Sequence, residues 1–340
     1  MKLTFFETTP EEKRVFTNLL SDKEIVFVDA ALKPTNINGH GDISGTEVLS
    51  VFVGSEVSKD VIDSLPNLKL IVTRSTGFDH IDVAHANTKG IVVCNVPGYG
   101  SYTVAEFTFA LMLNLSRNIA QAQAQLKQHG DFNPTSLRGF DLRGKTLGIL
   151  GTGRIGKNVA HIAASFGMKL IGYDAFPDKT FAKETGLEYM PLTDVLSHAD
   201  IVTIHVPYNK DSHHLINKEN IKLMKRGAHL VNTARGEIVD TEALLWALSE
   251  GIVAEAALDV LEGEKDLKEE VHLLADRPES IKNMRMLAEN HALINLPQVV
   301  VTPHIAFDSD EAIQEIMHTT AQNIINFSSG NTQNAVKIPS

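Results

Sequence analysis

The stretch Lys145–Gly156, KTLGILGTGRIG, constrains the fold of this chain more than any other. An apolar run from Thr146 to Leu150 passes straight into Gly151-Thr152-Gly153-Arg154-Ile155-Gly156, and the residues that follow read as helix. Glycines at this spacing let a strand turn sharply, let the backbone approach a pyrophosphate and let a helix pack closely on its sheet. The helix N-terminus adds N–H donors and the positive end of its dipole. The next β-like run, MKLIGYD, ends in Asp174, 18 residues past Gly156. A carboxylate there accepts both hydroxyls of a ribose and repels the additional phosphate of NADP, and no arginine follows closely. NAD is therefore the expected cofactor. The same glycines fit GxxxxGK up to Lys157, but a P-loop needs Ser or Thr next, and the chain has Asn158.

Around this unit, short apolar runs alternate with helical stretches. KLTFF, EIVFVDA, VLSVFVG, LKLIVTRST and IVVCNVP come before residue 99; KTLGILG, MKLIGYD, LEYM, DIVTIHVP, AHLVNTAR, IVAEAALDV and VVVTPH come after residue 144. Continuous apolar runs mark strands covered on both faces, so the expected class is α/β with parallel sheets joined by helical crossovers. A chain of 340 residues has room for two such domains. Ala105, Phe109, Met112 and Leu113 recur at helical spacing, which predicts one long helix from Thr103 to about Gln128 connecting the domains. The charged run Lys265–Asn290 is helix-prone, and Asp308–Phe327 reads as a terminal amphipathic helix.

Composition narrows the function. A net charge of −11 without long basic runs argues against a nucleic acid or an anionic membrane as partner. No apolar stretch reaches the roughly 18 residues of a membrane span. The lone Cys94 cannot form an internal disulfide and lies in an apolar run, so it reads as a core thiol in a reducing compartment, with the cytoplasm expected. His213 and His214 are adjacent, so on regular structure their side chains diverge; with one cysteine there is no zinc-like spacing, and no metal is expected. Without GxSxG or a base for Cys94, nucleophilic hydrolysis has no support.

Three later runs each deliver a polar group beyond an apolar strand: Arg235 after AHLVNTA, Asp259 with Glu264 after AAL, and His304 after VVVTP. Ligands of open α/β sheets bind at the carboxyl ends of strands. A guanidinium there grips a carboxylate bidentately and polarises a neighbouring carbonyl. Hydride transfer to a 2-oxo acid leaves an alkoxide that needs a proton near neutral pH, a task suited to histidine. A carboxylate beside the ring favours its protonated form and fixes its tautomer. Glu264 is the candidate for that place and Glu262 the alternative; the spacing from Asp259 favours Glu264. His205, in TIHVPY, ends another strand and is expected to shape the cofactor pocket.

LGILGTGRIG, the strand-ending YD, HVPY followed by LINKENIKLMKRG, LVNTARGEIVD, ALDV and VTPHIA occur in this order. Together they resemble the D-isomer-specific 2-hydroxyacid dehydrogenases over nearly the whole chain. TRSTGFDHID followed by VPGYGSYTVAE is most similar to the D-lactate dehydrogenase branch. The resemblance implies two Rossmann-like domains, one flavodoxin-like and one dinucleotide-binding, with a cleft between them. Residues 1–99 and 304–340 would form the substrate domain, and 100–303 an inserted NAD-binding domain, the protein being a homodimer. It also implies roles: Arg235 would bind the substrate, His304 would be the general acid/base and Glu264 would tune it, with Asp259 supporting the site near the nicotinamide. Gly151, Gly153, Arg154, Ile155, Gly156, Asp174, His205, Val206, Pro207, Thr233 and Ala234 would line the NAD site. Thr76 and Gly77 would offer amides to the substrate carboxylate, and Tyr99 would border the pocket. The chain departs from the branch at Gly100-Ser101, where Ser-Pro often stands.

The implied activity is reduction of a small 2-oxo acid, pyruvate to D-lactate foremost. Phenylpyruvate, branched 2-oxo acids, glyoxylate and hydroxypyruvate are alternatives. Formate oxidation is disfavoured, because those relatives place an amide where Glu264 stands. A reading from another class is an NAD-sensing binding protein of the same fold.

Overall fold

The computed structural model describes residues 1–39, 43–264, 267 and 281–336. It falls into two compact units: Met1–Tyr99 with Asp308–Ser340, and Gly100–Phe307. The chain returns to the first unit after Phe307, not at the 303/304 boundary read from the sequence, so His304 belongs to the second unit.

The first unit holds β1 (Lys2–Phe6), α1 (Pro10–Leu19), β2 (Glu24–Val28), β3 (Val48–Val51), α2 (Lys59–Asp63), β4 (Leu70–Thr73), α3 (Val83–Thr88) and β5 (Val92–Cys94). Its strands are all parallel, in the order β2-β1-β3-β4-β5. VLSV and LIVT are buried throughout, as strands covered on both faces must be. Thr9 and Glu12 form a capping box that starts α1 immediately after the first strand. Cys94 is buried, and burial pushes its thiol up to about 11, which leaves it unreactive.

The second unit opens with α4 (Ser101–Arg117) and α5 (Ile119–His129). The single helix expected over Thr103–Gln128 is thus two, broken at Asn118, whose φ of 51° is left-handed. Asparagine enters that region more readily than most residues. Ala105, Phe109, Met112 and Leu115 of α4 join the core cluster of Leu147, Ile149 and Val231, so α4 is a layer of this unit and not a free connector. There follow β6 (Thr146–Leu150), α6 (Arg154–Ser165), β7 (Lys169–Tyr173), α7 (Lys179–Thr185), β8 (Glu188–Tyr189), α8 (Leu192–His198) and β9 (Ile201–Ile204). Then come β10 (Ala228–Asn232), α9 (Thr241–Ser249), β11 (Val253–Leu258), α10 (Ile281–Asn295) and β12 (Val299–Val301). Of the run Lys265–Asn290, residues 265, 266 and 268–280 lie outside the described residues. The terminal helix α11 (Asp310–Ser328), capped by Ser309, returns to the first unit, where Met317, Ala321 and Ile324 pack with Phe5 and Phe16.

The seven parallel strands run β12-β11-β10-β9-β6-β7-β8. Strand order reverses at β6, which lies between β9 and β7, and ligands of doubly wound sheets bind at such a switch point. Among the described residues no helix is long and apolar enough to cross a membrane.

Candidate active site

The glycine turn occupies the switch point. Gly151 leaves β6 with φ 92°, and a Cβ on it would lie 2.6 Å from the Val206 nitrogen and 2.7 Å from the His205 carbonyl carbon. The backbone following β9 crosses there, so only glycine fits. A Cβ on Gly156 would run into the Gly151 carbonyl, which seats the first turn of α6 against the loop. Gly153, the N-cap of α6, has open space where a Cβ would sit. A helix N-terminus with exposed, unobstructed backbone is a place for phosphate.

The Asp174 carboxylate accepts from the Thr152 amide at 2.6 Å, the Thr152 hydroxyl at 2.9 Å and the Phe176 amide at 2.8 Å. The Thr152 Oγ1 also pairs with the Tyr189 hydroxyl at 2.7 Å. A carboxylate offers about four acceptor positions, so Asp174 is oriented by the loop and retains capacity for ribose hydroxyls. Arg154 and Pro207 are exposed and Ile155 and Val206 half-buried along the same loops. These residues fit a dinucleotide. His205 contributes through its backbone beside Gly151: its ring pairs with the Thr203 Oγ1 at 2.9 Å, and burial holds it down at about 3, leaving it neutral.

Strands β10, β11 and β12 are neighbours, so the groups beyond their carboxyl ends converge. Past β10, the Asn232 side chain accepts from the Ala234 amide at 3.0 Å and donates to the Arg235 carbonyl at 2.8 Å, wrapping the turn that presents Arg235. Thr233 meets Thr108 of α4 at 3.0 Å, hydroxyl to hydroxyl. Arg235 is half-buried and donates from Nη1 to the Ala234 carbonyl at 2.8 Å.

Past β11, the buried Asp259 carboxylate accepts from the Thr302 hydroxyl at 2.5 Å and from the amides of Ile305 and Ala306 at 3.0 and 2.9 Å. Its carbonyl accepts from the His304 amide at 2.8 Å. Asp259 thus faces the loop carrying the histidine. His304 has a φ of 57°, in the left-handed region that few residues other than glycine enter. Such a conformation persists only where neighbours over-determine it, and the Asp259 clamp does so. Burial pushes the Asp259 carboxyl above its ordinary range despite these hydrogen bonds.

The His304 Nδ1 lies 2.7 Å from Glu264 Oε1, with side-chain exposures of 17% and 25%. Glu262, the alternative partner, turns away to the His214 Nε2 at 2.9 Å and the Thr241 hydroxyl at 3.0 Å. The rings of His213 and His214 do not diverge as read from the sequence. They stack with centroids 4.0 Å apart, because His214 sits in a turn with a φ of 49°. Among the described residues no cluster of His, Cys, Asp and Glu forms a metal site.

Residues 109–306 match the model of the D-isomer specific 2-hydroxyacid dehydrogenase, NAD binding domain. The chain belongs to this family. Its cofactor is accordingly NAD. The dehydrogenase is 37% identical, over 99% of both chains, to the 2-hydroxyacid dehydrogenase homolog 1 of Schizosaccharomyces pombe. It is 40% identical to a glyoxylate reductase of Thermofilum pendens over 84% of this chain and 79% of that one. Among solved structures, the D-lactate dehydrogenase of Aquifex aeolicus complexed with NAD and lactic acid matches with a TM-score of 0.87 and 33% identity, covering 99% of this chain and all of that one.

In this dehydrogenase the remaining candidates, Thr76, Gly77 and Tyr99, belong to the first unit. The Ser75 hydroxyl donates to the Gly77 carbonyl at 2.6 Å, the Thr76 hydroxyl to the Val96 carbonyl at 2.9 Å, and Asn95 Nδ2 to the Thr76 carbonyl at 2.8 Å. Beneath this loop, the fully buried Arg74 donates to the carbonyls of Phe6 and Glu7, both at 2.7 Å. Tyr99 is half-buried.

The sequence pattern does not single out Asn232, Thr302, Arg74 or the Glu262–His214 pair. The first two carry a usable signal: each is a hydrogen-bonding residue that ends or directly follows an apolar strand and stands just before a candidate. The pairing of Glu262 with a histidine 48 residues away carried none.

Proposed function

We propose that this dehydrogenase reduces pyruvate to D-lactate, with Arg235, His304 and Glu264 as its reactive set. The observation that carries the catalytic reading is the 2.7 Å pair of His304 Nδ1, beyond β12, and Glu264 Oε1, beyond β11, the strand between β12 and Arg235's own β10. NADH, when bound, supplies the hydride that adds to C2 of the 2-oxo acid. Arg235 holds the substrate carboxylate and polarises the C2 carbonyl. With Nδ1 engaged by Glu264, the His304 Nε2 gives its proton to the carbonyl oxygen as C2 is reduced, and the 2-hydroxy acid leaves. Glu264 stabilises the imidazolium before transfer and fixes the ring's orientation. Asp259 keeps the histidine loop in place. Thr76, Gly77 and Tyr99 are further candidates for substrate contact.

Pyruvate is favoured by the neighbours described as D-lactate dehydrogenases that align over nearly the full length of both chains. A second reading, glyoxylate, is favoured by relatives at 35–40% identity that bear that activity's name. A panel of 2-oxo acids with NADH, followed by loss of NADH absorbance and by product chirality, decides between them. No turnover of any 2-oxo acid would overturn the enzyme reading and favour an NAD sensor. His304→Ala should still bind NADH while turnover falls about 10²- to 10⁴-fold, the usual contribution of a general acid. Near-parental turnover would eliminate it as the proton donor. We also infer a cytoplasmic homodimer: α5 buries no side chain of its own, and the one thiol suits a reducing compartment. Light scattering of the purified protein tests the assembly.

A further inference from the structure

Two carboxylates leave one tight turn, Leu261–Glu264, in different directions, and the mechanism above uses only Glu264. We propose that Glu262 is a positioning residue that aims Glu264 at His304, acting through the turn they share and anchored by His214. This inference rests on reading Glu264–His304 as the proton-transfer pair.

The turn is closed by the Glu264 amide donating to the Leu261 carbonyl at 3.2 Å, with Gly263 at a left-handed φ of 67°. Such a turn has one internal hydrogen bond and a glycine, which alone hold a following side chain loosely. The fixation comes from residue 262. Its carboxylate accepts from the His214 Nε2 at 2.9 Å, from the Thr241 hydroxyl at 3.0 Å and, more weakly, from the Thr241 amide at 3.4 Å. Thr241 is the first residue of α9, so the carboxylate also meets the positive end of that helix. The Glu262 carbonyl accepts from Asn290 Nδ2 on α10 at 2.8 Å, and Asn290 is itself buried. On the remaining side, the Leu261–Glu262 peptide lies against Gly236, where a Cβ would collide with its backbone.

Four separate segments therefore converge on residue 262: the His214 loop, α9, α10 and the turn after Arg235. Two residues on, Glu264 must keep a hydrogen bond that weakens beyond about 3.2 Å. A turn pinned at 262 supplies that tolerance. The charge of Glu262 is directed at His214 and Thr241, so its effect on His304 passes through the geometry of Glu264.

The test uses Glu262→Gln, Glu264→Gln, the double variant and His214→Asn. Asparagine suits the left-handed backbone at 214 and is too short to reach Glu262. The glutamine at 262 carries no charge and one acceptor oxygen, so with His214 served the Thr241 amide loses its acceptor and the Thr241 hydroxyl must turn to accept instead. Steady-state kinetics are measured alongside NADH affinity, melting temperature and the far-downfield proton resonance of the His304 Nδ1–H···Oε1 bond, assigned by its loss in Glu264→Gln. Glu262→Gln and His214→Asn should each lower kcat by about tenfold, with NADH affinity unchanged and that resonance moved upfield, misplacement being costly for oriented groups. The double variant should be no slower than Glu264→Gln, because residues acting through one another are non-additive. Independent, additive losses, an unchanged resonance, or a lowered melting temperature with parental kcat would each overturn the proposal. The resonance needs no turnover, so a parent that reduces no 2-oxo acid refutes the proposed activity while the spectrum still decides the role of Glu262. If Glu262→Gln fails to fold, His214→Asn carries the same readouts at a residue on the surface side of the pair.

Discussion

Replacing Gly236 by alanine tests the packing that joins Arg235 to the Glu264 turn. An added methyl would meet three atoms closer than any real Cβ contact, the carbonyl carbon and oxygen of Leu261 and the nitrogen of Glu262. All three are backbone, so no side-chain rotation relieves the clash, and overpacking of this kind costs about 1–3 kcal/mol. To reach a tolerable separation the 261–264 turn must retreat by about 1 Å, and a misplacement of that size costs roughly a hundredfold in rate. The same retreat would stretch the 2.7 Å Glu264–His304 pair past hydrogen-bonding range. NADH binding should be retained, because the glycine loop and Asp174 are untouched. Stopped-flow reduction of pyruvate, NADH titration and a thermal melt together give the answer. A Gly236→Ala variant with parental kcat and parental melting temperature would refute the reasoning, since the turn would then not be seated on residue 236.

Glu264→Gln replaces the carboxylate that holds the His304 ring at 2.7 Å, so kcat for reduction should fall roughly a hundredfold with NADH affinity unchanged; a parental kcat would exclude Glu264 as the group that aims the histidine. Asp259→Asn leaves one of three loop donors without its acceptor, a loss of about 1–3 kcal/mol. Burial sets the parent carboxyl above its ordinary 3.8, so the folded parent holds a proton more tightly than the unfolded chain. That stabilisation is complete below pH 3.8 and is lost as the pH rises through the raised value. Asparagine does not titrate, so urea melts across this window should show the gap between parent and variant narrowing as pH rises, and a widening gap would contradict the burial argument. Gly153→Ala should keep the parental melting temperature while NADH binding weakens, whereas Gly156→Ala, whose methyl strikes the Gly151 carbonyl, should lose both; equal NADH affinity in Gly153→Ala would show that phosphate does not approach that residue.

The strand pattern was open to sequence reading because it depends on local chemistry. Runs such as VLSV, LIVT and TLGIL are largely apolar, with no alternation of polar and apolar residues, as a strand covered on both faces requires. The break at Asn118 is not legible in the sequence because the apolar spacing continues across it, while one left-handed residue changes the helix direction. His213 and His214 stack against expectation for a related reason: the divergence of neighbouring side chains holds on helices and strands, and these residues occupy a turn.

At the site, the sequence by itself determined which groups stand beyond which strands: the glycine loop, Asp174, Arg235, Asp259, Glu264 and His304. Strand ends and glycine spacing are written in a few consecutive residues, and their order along the chain follows from crossover topology. Only the tertiary structure decided how the carboxylates are shared. Glu264 pairs with His304, Glu262 with His214, and Asp259 with the loop of residues 302–306. Those choices depend on which way a four-residue turn faces when four distant segments meet on it, and on a left-handed histidine held by hydrogen bonds to Asp259, beyond the neighbouring strand. Contacts of that kind join residues tens of positions apart through side-chain geometry, which no local pattern of residue types encodes.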